Sequence, residues 1–223
     1  MILIEPTTKR AVAFVDGQNL YHAARKAFGY SYPNYDVQAL ASAVCRTKGW
    51  GLAQVRFYTG LADASRDPFW YNFWTAKLAV MGRQGVKVFT RSVRYRRRIV
   101  RLPDGTEQDI PVAEEKGIDV RIALDVILMA LRSEYDVGVI FSQDQDLSEV
   151  ATDVPIIAQQ QGRWIKLACA YPVGPGSHNL RGVNSTDWIE IDAVTYNDCL
   201  DRRDYLRRLR LRGLDAPHQW WEE

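Results

Sequence analysis

The chain has 223 residues, 47% of them hydrophobic and 25% charged. That composition suits a globular protein large enough to bury a real core, and it excludes a disordered chain. The formal net charge of +2 implies no nucleic-acid partner by itself, so the distribution of charge carries the information.

Short runs rich in valine and isoleucine predict strands at Arg10–Asp16, Gln54–Thr59, Val86–Thr90, Val137–Ser142 and Trp164–Ala170. Amphipathic stretches between them predict helices at Gln18–Phe28, Asp36–Thr47, Asp67–Gly82, Gly117–Leu131 and Asp146–Gln161. Strands alternating with helices give βαβ units and an α/β fold with a mostly parallel sheet. Continuous apolar strands such as "VGVIFS" fit a sheet covered on both faces. One segment breaks the alternation. "VRYRRRIVRLPDGTEQDIPV" carries an Asp104–Gly105 turn between two extended runs, so a basic antiparallel hairpin is expected at about 91–113. "DCLDRRDYLRRLRLRG" reads as a helix ending near Gly213, in an appendage at about 193–223. With a core at about 10–192, the whole chain reads as one domain.

The three cysteines, Cys45, Cys169 and Cys199, are odd in number and far apart. They argue against a disulfide framework or a zinc cage and fit reduced thiols in the cytoplasm. The N-terminus, MILIEPTTKR, has no long apolar run, and the most apolar helix is interrupted by Asp119, Arg121 and Asp125. Neither a signal peptide nor a membrane partner is expected.

The first strand ends on Asp16, in "FVDGQNL", and "FSQDQDL" places Asp144 and Asp146 just past a later strand. Ligands of open α/β sheets bind at the carboxyl ends of strands. If these two strands are neighbours, three aspartates converge, and "EEKGIDV" adds Asp119 in the first turn of a helix. Convergent carboxylates repel one another unless a cation sits among them or some stay protonated. Mg²⁺ takes such oxygen ligands, and one or two ions could be held. Gly17 is expected to let the chain turn closely past the ion, and Asn19 to orient a water or a phosphate. Lys116 either offsets carboxylate repulsion, contacts a phosphate, or is simply solvated. Each aspartate alone could equally be a helix cap; the set of four points to a metal. Asp125 turns about 120° away from Asp119 around the helix and reads as structural.

"AVAFVDGQNLYHA", "EEKGIDVRIALDVILMA" and "YDVGVIFSQDQDLSEV" together resemble the NYN domain family, a branch of the PIN-like ribonucleases with LabA-like bacterial members. The three motifs occur in the family's order across about Ala11 to Val150, and "SHNLRG" and "DWIEID" look like its last loop and strand. The resemblance implies a three-layer α/β/α sandwich of PIN-like, Rossmann-like form and metal-dependent cleavage of RNA. It implies that Asp16, Asp119, Asp144 and Asp146 are the acidic metal-binding set, with Asn19, Lys116 and Ser142 in support. Ser177 falls where the family often has a serine in the loop after the last core strand, and is carried over as a nucleic-acid contact. The family's SGDGD is "SQDQD" here: Gln143 and Gln145 replace two glycines, and a bulkier loop is expected.

In the hairpin, strand alternation puts Arg94, Arg96 and Arg98 on one side, about 6.6 Å apart, suited to successive phosphates. Tyr95 points to the other. The competing reading is a solvated edge whose charge prevents aggregation. Phe69, Trp70, Phe73 and Trp74 repeat at i,i+4 spacing, which reads as core packing or an oligomer contact more than as base stacking. These aromatic stretches are what a homodimer would rest on. His22 is one turn beyond Gln18, at the rim of the site; His178 lies in the late loop.

Two functions compete. One is a Mg²⁺- or Mn²⁺-dependent endonuclease acting on single-stranded RNA. The other is a PIN-like module that binds RNA or a protein through a degraded site, which the "SQDQD" departure favours. A haloacid-dehalogenase-like phosphatase needs a second aspartate two residues after the first; here that residue is Gln18.

Overall fold

The computed structural model describes residues 3–101 and 105–205. Asp104, the side chain of Arg98, and the stretch beyond Tyr205 with His218, Trp220 and Trp221 lie outside the described residues.

In β1 (Arg10–Asp16) every residue after Arg10 is buried. Ala11, Ala13 and Val15 face one apolar cluster, while Val12 and Phe14 face another. A strand apolar on both faces belongs in the middle of three layers, and that is its place. Six strands form one sheet in the order β3 (Lys87–Ser92), β2 (Gly51–Leu61), β1, β6 (Val137–Phe141), β7 (Lys166–Pro172) and β8 (Asp187–Ile191). All five pairings are parallel. One face is covered by α1 (Gly17–Phe28), α2 (Val37–Thr47), α3 (Pro68–Arg83) and α6 (Ala193–Asp198). The other is covered by α4 (Ile118–Leu131) and α5 (Ser148–Gln161). The expected α/β/α sandwich is what forms.

β1 lies between β2 and β6, so the strand order reverses there. Its pairing with β6 runs from Ala11 opposite Val137 to Val15 opposite Phe141. Asp16 and Ser142 therefore leave the sheet side by side, at the switch point where α/β sheets open a crevice. The neighbour relation on which the acidic reading depended holds.

The aromatic stretch of α3 is core. Phe69, Trp70, Phe73 and Trp74 are all buried, and Phe73 meets Trp70 and Trp74 edge-on with centroids 5.3 and 5.4 Å apart. Burial of each is worth about 1.5–3 kcal/mol, and none of these rings faces solvent for a base to stack upon.

β4 (Arg94–Arg101) and β5 (Glu107–Glu114) form the expected antiparallel hairpin as a separate two-stranded sheet. Tyr95 ties it to the body: its ring packs against Tyr21, Val93 and Ala113, and Arg66 sits over it at 4.8 Å.

The helix expected from Asp198 to near Gly213 does not form over residues 199–205, and the rest of it lies outside the described residues. α6 ends at Asp198, and residues 199–205 are not helical. Backbone pairing wins there: Leu200 bridges Tyr35, Asp36 N–H donates to the Cys199 carbonyl at 2.8 Å, and Asp201 N–H donates to Asn34 at 2.7 Å. This path brings Asp201 to the buried ammonium of Lys77, at 3.3 Å. Among the described residues no helix is long and apolar enough to cross a membrane.

Candidate active site

Asp16 is 7% exposed and caps α1, its Oδ1 accepting the Asn19 N–H at 3.0 Å. Burial, opposed by the Asn19 N–H and reinforced by the charge of Asp144 and then Asp119, pushes the Asp16 carboxyl up to about 6. Gly17 has a packing role. A Cβ there would stand 2.4 Å from the ring of Phe57, so the missing side chain makes room for the core beneath the sheet end.

The acidic loop after β6 turns on itself. Asp144 N–H donates to the Ser142 hydroxyl at 3.2 Å, and Asp146 N–H donates to Asp144 Oδ1 at 3.0 Å. Ser142 is buried and accepts the Cys169 thiol on its carbonyl, so its part is to hold the loop. Asp144 has φ −70° and ψ 119°, and Gln143 and Gln145 are not among the non-glycine residues of positive φ. The loop thus needs no glycine freedom. The glutamines use their side chains instead. Gln143 Nε2 donates to the carbonyls of Asn179 at 3.1 Å and Arg181 at 2.9 Å. Gln145 donates to Gly182 at 3.0 Å and accepts the Asn184 N–H at 3.2 Å. They fasten the late loop beside the site.

Asp119 enters from the first turn of α4, which starts at Gly117 in the left-handed region with φ 74°. A side chain there would also meet the Arg91 guanidinium, 2.7 Å from where its Cβ would stand. Lys116 pairs with Glu114 at 3.0 Å. Asp125 points away and is held by Arg56 at 2.7 Å, Arg121 at 2.6 Å and the Tyr58 hydroxyl at 2.8 Å.

Asp16, Asp119 and Asp144 line one cavity of about 620 Å³, together with Asn19, Lys116 and a carboxylate the sequence reading passed over, Glu115. The Gly60 N–H donates to Glu115, and Gly60 has no room for a side chain because Glu115 and Val93 fill it. Burial first, then the charge of Asp16, pushes the Glu115 carboxyl up to about 8. Nothing in the "EEKGID" pattern separates Glu115 from its neighbour Glu114, which faces Arg96 and Lys116. Asp146 does not line this cavity. It lines an adjoining cleft with Asp119, over an apolar bed of Val120, Leu124 and Leu147.

The other expected contacts sit elsewhere. Arg96 pairs with Glu114 at 2.8 Å and Arg97 with Asp109 at 3.1 Å, so the hairpin carries part of its own counter-charge. Neither Arg94 nor Arg96 lines the acidic cavity. Ser177 closes a turn with Gly174: its hydroxyl accepts the Gly174 N–H and its own N–H donates to the Gly174 carbonyl, both at 3.0 Å.

Residues 10–170 match the NYN domain. The chain belongs to the NYN domain family. NYN domains are PIN-like nucleases, generally hydrolases. No curated relative matches the chain. Among solved structures, this NYN chain is similar to a protein of unknown function from Vibrio parahaemolyticus, at 19% identity over 89% of this chain and 93% of that one, with a TM-score of 0.44. It is also similar to MurG of Acinetobacter baumannii, at 11% identity over 81% and 45% of the two chains, with a TM-score of 0.30.

The donor set of this NYN site is made of carboxylates. Among the described residues no three His, Cys, Asp or Glu side chains stand close enough to share one ion. That excludes a complete protein cage in this arrangement. Carboxylate oxygens are the donors that a hard cation such as Mg²⁺ takes, and its shell needs one or two of them, with water and substrate phosphate completing it.

Proposed function

We propose that this NYN domain is a divalent-cation-dependent endoribonuclease that hydrolyses phosphodiester bonds of single-stranded RNA. The observation that carries the reading is the convergence of Asp16, Asp119 and Asp144 in one cavity, from three separate elements, where burial first and then the charges of Asp144 and Asp119 lift the Asp16 carboxyl to about 6. A fold tolerates such a cluster at neutral pH when a cation offsets it.

Asp16, Asp119 and Asp144 would share the cation, Mg²⁺ or Mn²⁺, at most two of them by direct ligation and the other through bound water. When bound, it supplies an activated water and charge neutralisation at the scissile phosphate. The chain's own residues do the rest. Asn19 fixes Asp16 through its N–H and the acidic loop through its side-chain carbonyl, which accepts the Gln143 N–H at 2.8 Å. Glu115 and Lys116 line the same cavity: Glu115 offers a carboxyl that stays protonated to about pH 8, and Lys116 a cation for a phosphate oxygen. Asp146, in the adjoining cleft with Asp119, supports from that side.

One observation favours a binding module instead: no three of these carboxylates lie within ligating reach of one ion. A cleavage assay separates the two. Labelled single-stranded RNA and DNA are incubated with the protein in Mg²⁺, Mn²⁺ or EDTA, beside Asp144→Asn. The nuclease reading expects RNA cut only with metal and spared by the variant. RNA bound yet uncut in every metal would establish the binding module.

A further inference from the structure

Asp16 stands at the N-terminus of α1, on the wall of the acidic cavity. The lining continues along α1 through Gln18, His22 and Lys26, with Asn179 of the late loop also on its wall. Gln18, His22 and Lys26 are spaced i, i+4, i+8, so they share one face of the helix. From Gln18 to Lys26 the axis advances about 12 Å, at 1.5 Å per residue. That is the rise of three to four stacked nucleotides at about 3.4 Å each. Ala23, between His22 and Lys26, keeps the face low.

The late loop is built to lie against this face. A Cβ at Gly176 would stand 2.1 Å from the Lys26 carbonyl, and one at Gly174 would stand 2.4 Å from that of Ala27, so only glycine lets the loop reach the end of α1. The Gly174–Ser177 turn shapes it, and Gln143 and Gln145 fasten its far side. Along this face of α1 the side chains run from the Asp16 carboxylate at the cap through amide and imidazole to Lys26, an exposed residue. An anionic chain with one phosphate at the metal end would meet amide, imidazole and ammonium groups along this face of α1.

We infer that the substrate is a single strand that leaves the acidic centre along α1, over Gln18 and His22, and places a phosphate on Lys26 about three nucleotides away. This rests on the nuclease reading and adds its direction and reach.

The test compares kcat/KM in Mg²⁺ for labelled oligouridines of 3 and 12 nucleotides, at several salt concentrations, for wild type, Lys26→Ala and the remote surface variant Lys48→Ala. Lys26→Ala is expected to lower kcat/KM on the 12-mer about tenfold, through KM, and to leave the 3-mer within about twofold. The slope of log kcat/KM against log salt for the 12-mer should become shallower by about 0.7, the value of one single-strand phosphate contact. Lys48→Ala should match wild type on both. If wild type cuts RNA but Lys26→Ala behaves as Lys48→Ala, or weakens the 3-mer as much as the 12-mer, the path along α1 is wrong and the nuclease reading stands. If wild type cuts neither oligomer in any metal, both fall together.

Discussion

The side-chain carbonyl of Asn19 accepts the backbone N–H of Gln143 at 2.8 Å, while the Asn19 backbone N–H caps Asp16. One residue thus holds together the ends of two strands, and with them Asp16 and Asp144. Asn19→Ala leaves the Gln143 amide without that acceptor, at an expected cost of about 1–3 kcal/mol. Urea denaturation measures it. Activity should fall further than stability explains, because the two carboxylates lose their common tie.

Asp16 gives a stability change of unusual sign. Its folded carboxyl is raised to about 6 from an ordinary 3.8, so its contribution is fully present below pH 3.8 and lost as pH rises through 6. Asp16→Asn keeps a capping oxygen and removes the charge. In EDTA at pH 8 the variant should be more stable than wild type, by an amount on the order of 2 kcal/mol, with the difference vanishing towards pH 4. Thermal melts across that range read it directly. Mg²⁺ should raise the melting temperature of wild type at pH 8 and leave the variant unmoved.

Asp136 has the opposite sign. Burial pushes its carboxyl up, but hydrogen bonds from Arg10 at 2.9 and 3.2 Å, with the charges of Arg10 and Arg163, outweigh burial and hold it below 3.8. Its stabilisation is full above pH 3.8 and lost as pH falls through the lower folded value. Asp136→Asn should therefore flatten the acid limb of stability below pH 4 and lower stability at pH 7. Melts at pH 3 to 7 decide it.

Lys77 is a buried cation 2.7 Å from the Tyr35 carbonyl and 3.3 Å from Asp201. Lys77→Met removes the buried cation but leaves Asp201 with Arg203 at 3.1 Å and the Tyr205 hydroxyl at 2.6 Å, so it should cost about 1–3 kcal/mol. Lys77→Met combined with Asp201→Asn should recover part of that loss, a coupling that a double-mutant cycle measures.

Gln143→Gly with Gln145→Gly restores the family's glycines. The pair removes four hydrogen bonds to residues 179–184. Because the loop's φ values do not call for glycine, the carboxylates should stay in place and the wall should loosen. KM for RNA is expected to rise severalfold while kcat changes little.

Much of the fold was legible because a sheet covered on both faces writes itself as unbroken apolar runs, and β1, β6 and their neighbours are such strands. Asp16 and Asp144 were legible because charge at the end of such a run has no packing reason. The sequence does not carry adjacency: that β1 pairs with β6 is a property of the whole sheet. Glu115 was invisible for that reason, since its burial depends on Gly60 of a distant strand. The packing role of Gly17 was not legible because its neighbour Phe57 comes from β2. The helix expected over residues 199–205 gave way to backbone pairing with residues 34–36, which no local propensity encodes. The glutamines of "SQDQD" looked like a loss of freedom, and their partners lie more than thirty residues on.

The central claim is that Asp16, Asp119 and Asp144 form one cation-holding centre. Crystals soaked in millimolar Mn²⁺ and measured near the manganese absorption edge test it most directly. An anomalous peak within ligating distance of Asp16 and Asp144, absent from Asp144→Asn crystals, is the expected result. A well-ordered cavity with no anomalous peak, or manganese bound only elsewhere, would contradict it.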